Sequence, residues 1–415
     1  MSVQNSSKNY AIPLAFIGLM FFSIGFALGI NSYLIPVLKG TLHITSAESY
    51  QLLAATFIPF LIFGYPASLC IKKMGYKRTM AFSFLLFAIA FGFFILSTNS
   101  ENFYLFLLAS FVSGTANAFL QASVNPYTTI LGPIDSAAKR ISMMGICNKL
   151  AWPIAPLFLA SVIGKSTDDV LVSDLSLPFY IIIAVFLLLG IVSLKAPLPE
   201  IKAEGEEVSD NQTVAEANKK SIFNFPYLIL GAIALFLYVG VETISLATMV
   251  DYSKALGIDN QQINILGWES NIGNLASFIP SFGLIIGYIC GVLFIPKYIS
   301  QSKALVICSL IAIFGTIAAA VMPSDISIYF IFFMALGCSL MWPAIWPLAM
   351  DGLGNFTKTG ASILTMAIAG GAVLPTLFGA LKDSYGMQNA YWLCLPCFVF
   401  ILYYALLGHK VGRGK

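Results

Sequence analysis

Charged residues are scarce in this chain. Among 415 residues, 22 are Lys or Arg and 19 are Asp or Glu, which amounts to 10% of the sequence. Ordinary soluble domains carry about 25% charged residues. With 58% hydrophobic residues, the chain has too few charges to cover a soluble globule. The composition therefore predicts an all-α membrane protein that crosses the bilayer many times.

Residues that carry catalysis are also few. The chain has two histidines, His43 and His409, and we find no nucleophile beside a base, no cluster of metal ligands and no phosphate-binding loop. The seven cysteines lie in or beside apolar runs, which does not indicate a disulfide framework. Basic residues form only short clusters, too small for a nucleic-acid-binding face. We expect no enzyme, no catalytic residue, no metal site and no nucleic-acid partner.

The long apolar runs number twelve, each close to the ~20 residues that a spanning helix needs. Six lie between residues 11 and 195 and six between residues 224 and 408. The segment between the two sets is charged and lacks apolar periodicity, as is typical of a flexible linker. The sequence predicts an N-terminal six-helix half at 1–197, a cytoplasmic linker at 198–222 and a C-terminal six-helix half at 223–415.

Lysine and arginine positions predict the orientation, because cytoplasmic loops are enriched in these residues. With a cytoplasmic amino terminus, the cytoplasmic side holds the cluster at 72–78 and most other basic residues. The outer side then holds only Lys39, Lys165, Lys254 and Lys382. Both termini are therefore predicted to be cytoplasmic.

One apolar segment carries a regular polar stripe. Ser113, Asn117, Gln121, Asn125 and Thr129 recur every four residues between about Phe103 and Leu131. At helical spacing these side chains share one face, and a polar face within a membrane lies against protein or water. Amides donate and accept hydrogen bonds, which suits the hydroxyls of a polyol. The alternative is hydrogen bonding between helices that fixes the bundle.

Two charges, Lys149 and Glu242, are the only ones that we expect deep within the membrane, and their signs are opposite. Each costs about 2.5 to 3.5 kcal/mol at the centre of an isolated inserted helix. They either form a structural ion pair, with a lysine that can also reach an interface, or face a central cavity where they handle substrate or coupling.

Further binding candidates are polar or aromatic residues within spans. Asn31 interrupts the first span, Asn148 precedes Lys149, and Asn274 belongs to a polar run in the eighth span that also includes Ser270, Ser277 and Ser281. Indole rings suit the C–H faces of sugars. Trp152 and Trp342, which lie nearer the middle of their spans, are the aromatic candidates.

Four stretches resemble a known family of proteins. They are GYPASLCIKKMGYKR between the second and third spans, LQASVNPYTTILG in the fourth, YVGVETIS in the seventh, and MWPAIWPLAMDGLGNFTKTGASILTMAIAGGAVLPTLFGAL across the tenth and eleventh. The chain resembles the major facilitator superfamily and, within it, the fucose, glucose and galactose permease family of bacterial sugar transporters. The resemblance covers nearly the whole chain.

This resemblance implies a sugar bound between two halves that rock to give alternating access, in a bacterial inner membrane. It also implies that Gly64, Lys73, Gly75 and Arg78, in the loop between spans two and three, act as a cytoplasmic gate. Proton-driven members tend to carry an aspartate where this chain has Ser32 and a glutamate where it has Gln121. Serine and glutamine do not titrate in a useful range.

Three accounts of coupling stay open from the residues. Glu242 serves as the coupling carboxylate for a proton or sodium ion, or Lys149 takes the place of a coupling ion and leaves a uniporter, or Lys149 binds an acidic sugar. We expect a monomer in the lipid bilayer that carries a neutral, hexose-like monosaccharide, with no cofactor beyond a coupling ion. Asn31, Asn117, Gln121, Asn125, Asn148, Trp152, Asn274 and Trp342 are the predicted substrate-binding residues. The alternatives are an acidic-sugar transporter and a sugar sensor that does not transport.

Overall fold

The computed structural model describes residues 11–130, 137–165, 169–196, 198, 222–265, 268–295, 298–353 and 356–412. The predicted linker at 198–222 therefore lies almost wholly outside the described residues. The helices of the first half are Ala11–Thr41, Ser46–Ser100, Phe103–Ile130, Ala137–Ile163 and Ser176–Lys195. Those of the second half are Pro226–Ala247, Met249–Ala255, Ile272–Leu275, Phe278–Phe294, Gln301–Val321, Ser324–Ser327, Ile331–Cys338, Met341–Met350, Thr357–Met366, Gly370–Tyr385, Met387–Ala390 and Cys394–Leu406.

Short 3-10 turns join or extend several of these helices. They are Val172–Leu175, Ile222–Asn224, Ile328–Phe330, Ala367–Ala369, Tyr391–Leu393 and Gly408–Lys410. Counting across such joints, the described residues contain twelve segments long and apolar enough to cross a membrane, which confirms the predicted number. We number them spans 1 to 12: Ile12–Thr41, Ser46–Ile71, Lys73–Ser100, Phe103–Asn125, Arg140–Ile163, Val172–Lys195, Pro226–Ala247, Ile272–Phe294, Gln301–Val321, Ile328–Met350, Ile363–Tyr385 and Met387–Leu406.

Spans 2 and 3 turn at Gly75. Its backbone has φ 80° and ψ 170°, a conformation outside the helical region that interrupts the run Ser46–Ser100. Residues with a Cβ rarely adopt such a positive φ, whereas glycine does so without steric cost. The backbone conformation at Gly75, one of the predicted gating residues, therefore favours glycine at this position.

A small β-hairpin precedes span 8 and differs from the sequence-based prediction. Strands β1 (Gln262–Ile265) and β2 (Trp268–Asn271) pair antiparallel, with Ile263 opposite Ser270. The prediction placed Ser270 in a continuous helical run, which is wrong: it lies in β2, and helix begins at Ile272. Hydrogen bonds between the two short strands, and not those of a helix, satisfy the backbone N–H and C=O groups here.

The two halves pack against each other through spans 2 and 11. At the end of the bundle that the sequence predicts to face outward, a Cβ added at Gly379 would lie 2.9 Å from the Ser46 carbonyl oxygen and 3.0 Å from the Tyr50 ring. Deeper in the membrane, Gly371 leaves the corresponding room for the Phe57 ring. Glycine allows these backbones to approach closely, as small residues do between membrane helices. The predicted outer end of the interface between halves is closed in this structure.

Candidate functional site

An ion pair joins the two halves of the molecule. Lys149 Nζ of span 5 donates to Glu242 Oε2 of span 7 at 2.9 Å, and the two side chains are only 9% and 10% exposed. Tyr238, one helical turn before Glu242, donates from its hydroxyl to Oε1 at 2.6 Å. Both carboxylate oxygens are thus occupied. Pairing and hydrogen bonding are what allow a charge to stay buried.

Trp152 extends this network to span 1. Its indole Nε1 donates to Ser32 Oγ at 2.9 Å, and Lys149 Nζ lies 5.8 Å from its ring centroid. The Ser32 hydroxyl in turn donates to the Leu246 carbonyl oxygen of span 7 at 3.4 Å. Ser32 therefore connects the two halves by neutral hydrogen bonds.

Two glycines of span 1 bring this part of span 5 into position. A Cβ at Gly25 would collide with the Asn148 carbonyl oxygen, and one at Gly29 would collide with the Trp152 carbonyl oxygen. Residues four apart lie on the same helical face, so the spacing of the glycines matches the spacing of the carbonyls. The close approach of these backbones fixes the turn that carries Asn148, Lys149 and Trp152.

The polar stripe of span 4 becomes more exposed along its length. Ser113 and Asn117 are buried, whereas Gln121 and Asn125 are half-buried. Gln121 Nε2 donates to Asn117 Oδ1 at 3.2 Å, while the buried Asn117 Nδ2 has no hydrogen-bond partner among the described residues. The side chain of Thr129, the last stripe residue, lies outside the described side chains. The stripe thus opens toward the predicted inner end of the bundle.

Two of the predicted sugar-binding amides bond to neighbouring helices. Asn31 Nδ2 donates to Thr56 Oγ1 at 3.3 Å, and Asn148 Nδ2 donates to the Phe21 carbonyl oxygen at 3.1 Å. These bonds occupy a donor of each amide in this structure. Such bonding between helices is the alternative that the sequence left open for polar residues within spans.

Aromatic side chains of spans 7, 8 and 10 adjoin the ion pair. Trp342 is half-buried, stacks on Trp346 with ring centroids 5.2 Å apart, and lies 6.5 Å from the Tyr238 ring. A Cβ at Gly145 would lie 3.0 Å from Cζ of Tyr288, so this glycine leaves room for a ring from the other half. Offset and tilted rings at these separations are typical of favourable aromatic packing.

Asn274 lies apart from these residues. It occupies the short helix Ile272–Leu275 at the start of span 8. At ~1.5 Å per residue, about 20 Å of helix axis separates it from Tyr288. The predicted gating residues also lie elsewhere: Lys73, Gly75 and Arg78 are exposed, and Gly64 is half-buried. A Cβ at Gly64 would lie 3.7 Å from Cγ2 of Thr365 in span 11.

The structure also buries charged side chains near the ends of the spans. Asp251 and Lys382 form a second buried ion pair near the predicted outer end. Arg140, at the predicted inner end, is also buried and donates from Nε to the Thr128 carbonyl oxygen at 3.0 Å. These three residues lie near the ends of spans, where a hydropathy pattern does not reveal packing, so the expectation that only Lys149 and Glu242 lie deep within the membrane stays a prediction.

Sequence reasoning did not single out Tyr238 or Tyr288. For Tyr238 a signal was present, since it precedes Glu242 by four residues and therefore shares its helical face. Tyr288 has no comparable signal, because its neighbour Gly145 belongs to the other half of the chain.

Comparison with known proteins agrees with this architecture. The model of the Major Facilitator Superfamily matches residues 17–374. A glucose/galactose transporter of Brucella abortus biovar 1 (strain 9-941) is 30% identical over 410 residues, covering 98% of this chain and 96% of the relative. An L-fucose-proton symporter of Escherichia coli (strain K12) is 23% identical over 421 residues, covering 96% of this chain and 93% of the relative.

A solved structure shows the same fold. The crystal structure of the transporter FucP in the outward conformation superposes with a TM-score of 0.70 at 23% identity, covering 96% of this chain and 99% of that one. The family match spans most of the chain, and the twelve spans and their two halves agree with it. The resemblance seen in the sequence is confirmed, and this multi-pass membrane protein belongs to the Major Facilitator Superfamily.

Proposed function

We propose that this chain carries a neutral, hexose-like monosaccharide across a bacterial inner membrane by alternating access, as a monomer with both termini in the cytoplasm. The observation that carries the proposal is the pairing of Lys149 with Glu242 between the halves, at 2.9 Å. Because the two charges cancel, this pair adds no net charge at the boundary between the halves. Such a site favours an uncharged, hydroxyl-rich solute over an ion.

The stripe of span 4 supplies the hydrogen-bonding groups for such a solute. Gln121 and Asn125 are half-buried, and the Asn117 amide nitrogen has no partner among the described residues. Sugar hydroxyls both donate and accept, so neighbouring amides can satisfy them in either sense. The half-buried Trp342 adds an aromatic surface for the C–H face of a sugar ring.

The two relatives support a sugar as the substrate class. One is named a glucose/galactose transporter and the other an L-fucose-proton symporter, and each aligns over nearly the full length of this chain. Glucose, galactose and fucose are all uncharged monosaccharides. An acidic sugar held by Lys149 is disfavoured, because the ammonium group already pairs with Glu242.

Coupling of sugar transport to a proton or sodium ion requires a carboxylate near the transport site. Ser32 and Gln121 do not titrate in a useful range. Glu242 is the carboxylate that pairs with Lys149, beside Trp152, in this part of the structure. A proton or sodium ion that acted there would have to compete with Lys149 for the same oxygen atoms. Coupling through Glu242 therefore requires this pair to open.

Uptake into proteoliposomes tests the proposed function. We expect saturable uptake of labelled hexose that excess unlabelled hexose inhibits, whereas labelled glucuronate should not be taken up. Accumulation above equilibrium under an imposed proton or sodium gradient identifies secondary active transport, and equilibration alone identifies facilitative transport. Sugar binding without flux under every gradient would contradict a transporter and support a sensor.

Substitution of Gln121 tests the stripe itself. We expect Gln121→Ala to raise the Kd for sugar about fivefold to tenfold, the effect of losing roughly one hydrogen bond worth about 1 kcal/mol. Gln121→Glu introduces a titratable group and should make uptake depend on pH. Isothermal calorimetry and uptake at several pH values measure these effects.

Gln51→Ala is the matched control for this test. Gln51 is also a half-buried glutamine, but it lines a groove of about 450 Å³ between spans 2 and 4 with Ile58 and Phe111. Its substitution should leave the affinity unchanged. Equal effects of the Gln51 and Gln121 substitutions on affinity would contradict the assignment of the stripe to the binding site.

A further inference from the structure

The predicted outer end contains a second polar cluster that the transport site does not use. Asp251 Oδ2 accepts hydrogen bonds from Lys382 Nζ and, at 3.0 Å, from the Tyr50 hydroxyl. Asp251 and Lys382 belong to the second half, whereas Tyr50 belongs to span 2 of the first. All three residues are buried, with Tyr50 completely inaccessible to solvent.

Asp383, which follows Lys382 in span 11, caps the start of span 2 in the other half. Its Oδ1 accepts from the Ser46 backbone N–H at 3.1 Å, and its Oδ2 accepts from the Ala47 N–H at 2.8 Å. These are the first N–H groups of span 2, which have no partner within their own helix. A carboxylate at a helix N-terminus is also stabilised by the helix dipole. The cap therefore crosses the boundary between the halves.

Packing surrounds the bond between Tyr50 and Asp251 with apolar and backbone atoms, whereas Asp383 is exposed. The Tyr50 and Phe378 ring centroids are 5.9 Å apart, and Gly379 lies against the backbone of Ser46 and Ala47. When the halves separate at this end, water can hydrate Asp251 and the N–H groups of span 2, and Asp383 loses its bonds to those groups. The cross-half bonds consequently exist only in the conformation that is closed at this end, and they favour that conformation over the open one.

We propose that Tyr50, Asp251 and Asp383 form an outer latch, which holds the predicted outer end closed and sets the ratio of the two alternating-access conformations. This proposal rests on the proposed alternating access of the chain. The latch does not contact sugar. Its strength determines how often the outer end opens, because a bond made in one conformation alone shifts the population toward it.

Distance measurements between spin labels test the latch in the full-length protein. Labels at Tyr104→Cys and Tyr329→Cys, in a background without the seven native cysteines, report the separation of the halves at this end. Both positions are exposed, at 79% and 52%, and they belong to different halves. Double electron–electron resonance in lipid nanodiscs gives the populations of short and long distances without any sugar present.

We expect Asp383→Asn to raise the ratio of long to short distances about threefold, because it leaves one of the two capped N–H groups without the carboxylate oxygen that it contacts only in the closed form. Tyr50→Phe removes one bond and leaves Asp251 paired with Lys382, so it should raise the ratio about threefold to fivefold. The two substitutions together should raise it further than either alone. Tyr50→Phe removes only the hydroxyl group that bonds to Asp251, so it tests the latch even if Asp383→Asn impairs folding.

Asp174→Asn is the matched control. Asp174 also lies near the predicted outer end, where it accepts from Lys165 Nζ and the Leu171 N–H, each at 2.8 Å, but all three residues belong to the first half. Its substitution should not change the distance ratio. An unchanged ratio in Tyr50→Phe and Asp383→Asn, with both distances present in the parent protein, would overturn the latch. A single distance in every protein, with or without hexose, would instead contradict alternating access itself.

Discussion

Replacing Glu242 with Gln is expected to abolish sugar uptake and to lower the yield of folded protein. The substitution leaves Lys149 Nζ buried without the carboxylate that it contacts at 2.9 Å. Removing one partner of a buried ion pair costs about 3 to 5 kcal/mol, because the remaining charge is uncompensated. Lys149→Met should have a similar effect, since Glu242 would keep, among the described residues, the Tyr238 hydroxyl as its one side-chain partner. Size-exclusion profiles, thermal unfolding in detergent and uptake measure the loss.

The double variant separates a structural pair from a coupling carboxylate. Lys149→Met with Glu242→Gln leaves no unpaired charge, and neutral replacement of a buried pair is often tolerated. We expect this variant to recover folded protein and sugar counterflow. Recovery with normal accumulation under an ion gradient would exclude Glu242 as the coupling group. A well-folded Glu242→Gln single variant that loses only accumulation, and keeps counterflow, would contradict the structural account and support coupling.

The exposed pair of Lys165 and Asp174 is the control for these substitutions. Its atoms are also 2.8 Å apart, but the side chains are 43% and 22% exposed. Exposed pairs contribute only about 0.2 to 1 kcal/mol. Lys165→Gln should therefore leave both the unfolding temperature and the uptake unchanged.

Gly25→Ala is expected to have the second largest effect. The added methyl group would collide with the Asn148 carbonyl oxygen, which cannot move without shifting the helix that bears it. Such overpacking costs about 1 to 3 kcal/mol. Spans 1 and 5 would separate at the turn that carries Asn148, Lys149 and Trp152. We expect a lower unfolding temperature and a loss of uptake of tenfold or more, as roughly 1.4 kcal/mol corresponds to tenfold.

Gly18 provides the comparison on the same helix. A Cβ there would lie 3.4 Å from Cys147 Sγ, a side-chain atom that can move. Gly18→Ala should therefore unfold at the temperature of the parent protein and retain uptake. If Gly25→Ala behaves like Gly18→Ala, close contact between spans 1 and 5 does not position the site.

The spans could be predicted from the sequence because the bilayer imposes a simple rule. About 20 apolar residues must satisfy their backbone hydrogen bonds internally, so apolar runs become helices. The twelve predicted runs correspond to twelve spans. The hairpin of β1 and β2 was missed because it lies beyond the apolar region, where this rule no longer applies and ladder bonds between strands compete with helix.

The candidate site could be predicted only in part. Lys149 and Glu242 stand out because charges are costly in apolar runs, and one alternative drawn from them, an ion pair, is what the structure shows. The roles of Asn31 and Asn148 could not be decided from residue type, since an amide suits sugar binding and helix bonding equally. Their bonds to Thr56 and Phe21 depend on which helices become neighbours.

The sequence by itself determined the spans, their number, the polar stripe of span 4 and the identity of the two central charges. Each of these follows from local composition or helical periodicity, which depend on residues close together in the sequence. Only the tertiary structure decided that Lys149 meets Glu242, that Ser32 links Trp152 to Leu246, and that Asp383 caps span 2. These contacts join residues far apart in the chain, and the packing of one half against the other, rather than any local pattern, selects them.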